Sequence, residues 1–482
     1  KDKTNLTGLN PDNFRSVING KDTGLYILRN GSGMEMCVTN YGAIVLSIMA
    51  PDSHGKFENV VIGFDTLEEA RRQSKDYYIG ATIGPVAGRI LHGAFRVGEK
   101  DYHLQLNSVS NTLHSGDNGF HTVVWEAQQP CENQLLLRHF HADGEAGFPG
   151  NVTVRMMYTL TDDNGFRIDY EAETDRDTLF CPTNHAYFNL AGMGTPTTSI
   201  EDHLVRINAD FYLPIDMNTN NTGEVRAVGD TPFDFRDYHS IGERINRKDL
   251  QLLNGHGYDH CFVLKKPALH ELSFAATCIS PSSGRRMDIY TTEPGLIMYT
   301  GNYLPGFTGM HGTVYPRRSA VCFETQCFPD TPNNPHFPSI VLREGDLYKQ
   351  NVCIKSVRNQ EKQNHSLFGM PLAFLQLRAQ VNTNQQHLCN PNSFAIVLLG
   401  DPQNYVKYDY NQPVFELMTA WTAHHIDSLR VKAVLCTGDL VDQNECILPP
   451  FPRFGNLTSR EQWTFVSRAF GRLDNKVPYL IS

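Results

Sequence analysis

The chain is punctuated too often for long helices. From Asn5 to about Val357, Gly, Pro, Asn and Asp cut the sequence every few residues into short apolar or alternating runs. Examples are Met36-Cys37-Val38-Thr39, Asn59-Val60-Val61-Ile62-Gly63 and Asn151-Val152-Thr153-Val154-Arg155-Met156-Met157-Tyr158. Period-two alternation buries one face of a strand, and Asp163-Asn164-Gly165 between two such runs is a hairpin signal. Only short stretches such as Thr66 to Arg72 read as helix. Many short strands over ~350 residues predict a mainly β fold, a large antiparallel β-sandwich rather than a barrel.

The chain has 482 residues, more than one ordinary core takes, so two or more domains are expected. Its net charge of −10 gives no footprint for nucleic acid, whose binders concentrate positive charge on one face. No apolar run approaches the roughly 18 residues of a membrane-spanning helix. Eleven scattered cysteines with no C-x-x-C pair predict free thiols, not a disulfide framework or a cysteine-based zinc site. The first residue is Lys1, which fits a removed export leader and a periplasmic protein, or a removed tag and a cytoplasmic one. Nothing in the sequence sets an oligomeric state.

Four places put polar, ionisable residues where a strand should bury apolar ones. In Cys181-Pro182-Thr183-Asn184-His185-Ala186-Tyr187-Phe188-Asn189-Leu190, a single strand would carry His185, Tyr187 and Asn189 on one face and Ala186, Phe188 and Leu190 on the core face. In Val321-Cys322-Phe323-Glu324-Thr325-Gln326, the residues Cys322, Glu324 and Gln326 share a face opposite Val321 and Phe323. A carboxylate inside an apolar strand costs too much desolvation to lack a partner or a cleft. His114 opens the Gly-rich loop from Ser115 to Phe120, and Asp259 stands between aromatics in Gly257-Tyr258-Asp259-His260. A histidine beside a carboxylate can serve as acid and base; structural histidines and a solvent-facing edge glutamate would give the same pattern.

Read together and in order, these strings resemble the aldose 1-epimerase (galactose mutarotase) family over residues 5 to 357. The resemblance rests on Ile83-Gly84 with Arg89-Ile90, Leu113-His114 with Gly116, Thr183 to Leu190, Gly257 to His260, Tyr299-Thr300-Gly301-Asn302, and Glu324-Thr325-Gln326 with Phe328-Pro329-Asp330. Ser339 to Gly345 also fits the family's last strand. The resemblance implies a large β-sandwich that interconverts the α and β anomers of a free hexose of the galactose or glucose type. It implies Glu324 as base at the C1 hydroxyl and His185 as acid at the ring oxygen. Arg89, His114, Asp259 and Gln326 would hold the sugar, and no cofactor is required. The sequence departs from the family at Pro85, Gly88, Ser115 and Ile297, where the family usually has Arg, Asn, Gly and a polar amide. This points to altered sugar preference or weaker binding. Competing readings are a carbohydrate-binding module without chemistry and a glycoside hydrolase using Asp259 and Glu324.

After Val357 the composition shifts. Residues 358–392, rich in Asn and Gln, read as a linker between a 1–357 sandwich and a 393–482 segment of different period. In the latter, Phe394 to Leu399 and Val431 to Cys436 read as buried parallel strands joined by a helix, a partial α/β (βαβ) unit. Asp401-Pro402-Gln403 and Gly438-Asp439 resemble the opening motifs of calcineurin-like metallophosphoesterases. The resemblance implies Asp401, Gln403 and Asp439 as vestigial ligands of a divalent metal. Gln403 replaces a histidine and the later histidine motifs are missing, so an inactive, truncated segment is expected. The remaining alternative is a metallophosphoesterase whose N-terminal domain only binds substrate.

Overall fold

The computed structural model describes residues 5–194 and 198–358, and beyond them the backbone of five short strands. The chain divides into two units, residues 1–362 and 363–482.

The first unit is built almost entirely of antiparallel strands. The largest sheet has nine, in the order Glu126–Cys131, Gln134–His141, Val152–Thr161, Gly165–Thr174, Tyr348–Arg358, Arg285–Thr291, Ser273–Ile279, Leu204–Ile207 and His239–Ser240. The hairpin expected at Asp163-Asn164-Gly165 is there. Thr161 pairs with Gly165, and Asn164 turns the chain at φ 63°, a conformation asparagine tolerates. Val152–Thr161 alternates buried and more exposed residues along its whole length, the pattern of a strand with one core face.

A six-stranded sheet positions the polar residues singled out above. Its strands are β1 (Tyr187–Phe188), β2 (Ala209–Leu213), β3 (Arg226–Ala227), β4 (Asp259–Leu264), β5 (Gly295–Tyr299) and β6 (Val321–Gln326), in the order β1-β6-β5-β4-β2-β3. One face packs Phe188, Val321, Phe323, Met298 and Phe262 into a core shared with Met156 and Ile168 of the large sheet and Val38 of a smaller four-stranded sheet. Truncating Phe323 there should cost about 3–5 kcal/mol. The opposite face, with Cys322, Tyr299, Ile297 and Cys261, joins a second cluster. Period two separates structure from chemistry.

The sequence predicts one strand from Cys181 to Leu190, and the structure differs. Thr183–Asn184 pairs with Thr82–Ile83, whereas Tyr187–Phe188 pairs with Val321 and Cys322. The chain changes neighbours at His185, whose N–H donates to the Ala81 carbonyl while its own carbonyl accepts from Gly80. Asn184 causes the break locally, because its Oδ1 accepts the Ala186 N–H at 3.1 Å and competes with a regular ladder. The helical reading near Thr66 is confirmed and extended. Helix α1 spans Leu67–Tyr77, with Thr66 as N-cap accepting from the Glu69 N–H.

In the second unit, Ala395–Leu399 pairs in parallel with Val431–Cys436, which pairs in parallel with Tyr479–Ile481. Val381–Asn382 and His387–Leu388 form a small antiparallel pair inside the stretch read as a linker. The expected connecting helix and Asp401, Gln403 and Asp439 lie outside the described residues. No helix among the described residues is long and apolar enough to cross a membrane.

Candidate active site

A cavity opens on the polar face of the six-stranded sheet, and the cross-strand register explains its lining. Tyr187 pairs with Cys322 and Phe188 with Val321, and two residues further on His185 comes level with Glu324. Glu324 pairs in turn with Ile297, Ile297 with Cys261, and Cys261 with Leu213. All five line the cavity. The next row on the same face runs Tyr187, Cys322, Tyr299 and Asp259. His185, in the link before β1, and Glu324, in β6, are therefore lateral neighbours on one face.

Glu324 sits in an interior strand, which rules out a solvent-facing edge glutamate. Its Oε1 is 3.5 Å from His185 Nε2. Its Oε2 is buried and has no hydrogen-bond partner. Burial pushes the Glu324 pKa up to about 8; the Asp259 charge adds to the shift and Arg89 opposes it. Burial has the opposite sign for an imidazole, and pulls His185 down to about 4.

The His185 ring is fixed by aromatic contacts. Tyr187 lies nearly parallel to it at 5.0 Å, Tyr78 at 6.1 Å, and His114 meets it edge-on at 5.5 Å. Its Nδ1 is 3.5 Å from Cys322 Sγ. Burial raises the Cys322 thiol well above its ordinary range and keeps it protonated. Tyr78 reaches its place because α1 stops there, with Tyr78 as a left-handed C-cap at φ 57°. That conformation costs a non-glycine residue on the order of 1 kcal/mol.

Arg89 starts the strand Arg89–Leu91, paired with Asn111–Leu113, and His114 directly follows Leu113, the partner of Arg89. His114 Nδ1 accepts the Gly88 N–H at 3.1 Å, which places the ring proton on Nε2 and makes His114 a donor. Burial, His185 and Arg89 all lower its pKa, so it stays neutral. Arg89 lines the cavity with a buried Nε that has no partner. Asp259 begins β4, and burial raises its pKa against the pull of Arg89. Asn302 steadies the turn before it, donating to the Gly255 and Tyr258 carbonyls at 3.0 and 2.9 Å.

The structure thus brings His185, Glu324, Arg89, His114 and Asp259 to one cavity. Gln326 is fully buried on the same face of β6 but does not line it. Its amide donates to the Cys327 carbonyl at 3.3 Å. Asn189, also expected on the polar face, binds the Thr198 and Ser319 carbonyls instead. Of the four departures noted above, Gly88 and Ile297 line the cavity, whereas Pro85 and Ser115 do not. The Ser115 hydroxyl bonds both the N–H and the carbonyl of Val86. Sequence reasoning missed Asp76 and Tyr78, at the end and C-cap of α1, and Asn221 and Tyr303, which line the cavity from irregular segments where no periodicity marks them. His114, His185 and Glu324 also present ligand atoms within 4.8 Å of one another, a spacing a transition metal could occupy. Of the cysteines described, all are free and most are buried.

Comparison with known proteins agrees in extent with the first unit. Residues 24–355 match the family model described as "Aldose 1-epimerase". Galactose mutarotase from Rattus norvegicus is 41% identical over 319 residues, covering 66% of this chain and 90% of that protein. Aldose 1-epimerase from Escherichia coli is 32% identical over 331 residues, covering 68% of this chain and 94% of that protein. Among solved structures, the aldose epimerase homologue from C. elegans superposes with a TM-score of 0.64 at 28% identity, covering 70% of this chain and 99% of that one. Galactose 1-epimerase from Lactobacillus acidophilus gives 0.61 at 29% identity, covering 71% and 96%.

Proposed function

We infer, for a chain that belongs to the aldose 1-epimerase family over residues 24–355, that Glu324 and His185 are the base and acid of its mutarotase reaction. The chain interconverts the α and β anomers of a free hexose. Anomerisation opens the hemiacetal, turns about C1–C2 and closes again. A base takes the C1 hydroxyl proton while an acid protonates the ring oxygen, and the two exchange roles on closure. One observation carries the assignment. Glu324 Oε2 is buried beside the cavity without a partner, next to a histidine whose ring orientation is locked.

The proton inventory supports it. With Glu324 raised to about 8 and His185 lowered to about 4, the pair holds one proton at neutral pH. Ring opening starts from the carboxylate–imidazolium form of this one-proton pair; the C1 hydroxyl proton passes to the Glu324 carboxylate and the His185 imidazolium proton to the ring oxygen. The pair ends as carboxylic acid and neutral imidazole, the state that burial favours. Both proton positions are side chains, so the step needs no cofactor.

Arg89, Asp259 and the Nε2–H of His114 would hold the hydroxyls, since charged groups make the stronger hydrogen bonds. Ile297 pairs directly with Glu324 and presents an apolar side chain to the sugar, which supports weaker binding or an altered hexose preference. A crystal soaked with galactose tests the reading. C1 should lie between Glu324 and His185, and a sugar bound with C1 remote from both would refute it.

For residues 393–482, we propose a phosphoesterase-like segment without hydrolytic activity, since Gln403 stands where such a site needs a histidine ligand. The parallel pairing of Ala395–Leu399 with Val431–Cys436 supports the βαβ order. Robust phosphatase turnover with added manganese would overturn it.

A further inference from the structure

The inward face of strand Gln134–His141 runs Leu135, Leu137, His139, His141, so two apolar positions are followed by two imidazoles. Both histidines are buried and pack around Phe120, with Trp125 against His139 and Phe148 against His141. None of their four ring nitrogens has a hydrogen-bond partner. A buried imidazole without a partner is costly, and two side by side need an explanation.

Glu145 supplies the third group. It stands in the turn after the strand, where its Oε2 accepts the Ala142 N–H at 3.0 Å. Its carboxylate oxygens lie 3.8 Å from His139 Nε2 and 3.6 Å from His141 Nδ1. Those separations are close to the edge of a tetrahedral zinc site, about 3.4 Å for the usual Zn–N and Zn–O lengths. All three ligand atoms lie within 4.8 Å of one another.

We propose that His139, His141 and Glu145 form a site for a first-row divalent cation, zinc or cobalt, separate from the sugar cavity. Two imidazoles and one carboxylate suit these ions and leave one position for water. The ion satisfies two orphaned ring nitrogens and ties the turn at Glu145 to the large sheet. None of the three residues takes part in the acid–base chemistry, so the site stabilises the sandwich and does not catalyse.

The test uses the full chain, stripped with chelator and titrated with Zn²⁺ and separately with Co²⁺. Wild type should bind one equivalent more than Glu145→Gln and His141→Phe, and its thermal midpoint should rise with Zn²⁺ by several degrees more than theirs. The bound Co²⁺ should give the visible bands of a nitrogen- and oxygen-ligated ion without a thiolate band, and these should vanish in both variants. Mutarotase activity of the stripped proteins should be equal. Glu145→Gln leaves both buried rings in place, so the comparison does not depend on the fold accepting His141→Phe. Equal metal content in wild type and Glu145→Gln, or a thiolate band assigning the ion to cysteines, would overturn the proposal.

Discussion

His185 Nε2 and Glu324 Oε1 stand 3.5 Å apart, His185 in the link between two short strands and Glu324 in β6, brought level by the pairing of Tyr187 with Cys322 two residues away. Because the two titrate as a pair, activity follows the number of protons they share. Below about pH 4 His185 charges and the pair holds two protons, which blocks the base; above about pH 8 Glu324 loses its proton and no acid remains. The enzyme-dependent kcat/KM should form a bell with limbs near pH 4 and pH 8, after subtraction of buffer catalysis. A rate that keeps rising through pH 9 would contradict this pairing.

Tyr78 and Tyr187 hold the imidazole between them. Replacing Tyr78 by Ala should lower kcat roughly tenfold, since ring misplacement costs proton-transfer geometry more than binding. Tyr78→Phe loses only the hydroxyl bond to Asn107 and should stay within about twofold. Steady-state polarimetry of both variants separates the ring's role from the hydroxyl's.

Asn302 accepts from Thr300 and donates to two carbonyls ahead of Asp259, all in a buried setting. Asn302→Ala should cost on the order of 2–3 kcal/mol of stability, because buried partners are left unpaired. With Asp259 no longer steadied, KM should rise more than kcat falls. Urea unfolding and polarimetry report the two effects.

Ile297 separates Glu324 from Cys261 across the sheet. Ile297→Asn offers the sugar a hydrogen bond where none exists now, and should lower KM for galactose or shift the galactose-to-glucose ratio. Unchanged constants for both hexoses would show that position 297 is not read by the substrate.

Buried histidines set the acid limit of the fold. Burial lowers His121 and His185 to about 4 and His139 and His260 to about 3, from 6.5 in an unfolded chain. As pH falls the unfolded state takes up these protons first, so their contribution is complete above about pH 6.5 and is lost toward pH 3–4. Glu293 and Glu324, raised to about 7 and about 8, act in the opposite sense at pH values above 4.5. The urea midpoint should therefore fall gently from pH 6.5 to 4.5 and more steeply below. A flat profile over that range would contradict neutral burial.

His185 and Glu324 are legible in the sequence because each interrupts an apolar strand, and a polar residue on a period-two face needs a cleft. The core faces of Val321, Phe323 and Phe188 follow from the same period. What that period cannot show is a change of partner, so the switch at His185 from the Thr82–Ile83 strand to β6 is invisible until Asn184 is seen bonding the backbone. Tyr78 and Tyr303 escape notice because a helix cap and an irregular segment place them, and neither has a repeat. His139 and His141 fit the alternation as inward positions, and only their missing partners mark them. The parallel strands near the C-terminus read correctly from their continuous apolar runs.

The most direct test of the central claim is the decay of optical rotation of freshly dissolved α-D-galactose with wild type, Glu324→Gln and His185→Ala. Glutamine keeps the shape of Glu324 but cannot take the C1 proton, so we expect catalysis to fall by at least about a thousandfold while galactose still binds. His185→Ala should show a comparable loss. Wild-type rates in both variants would contradict the account.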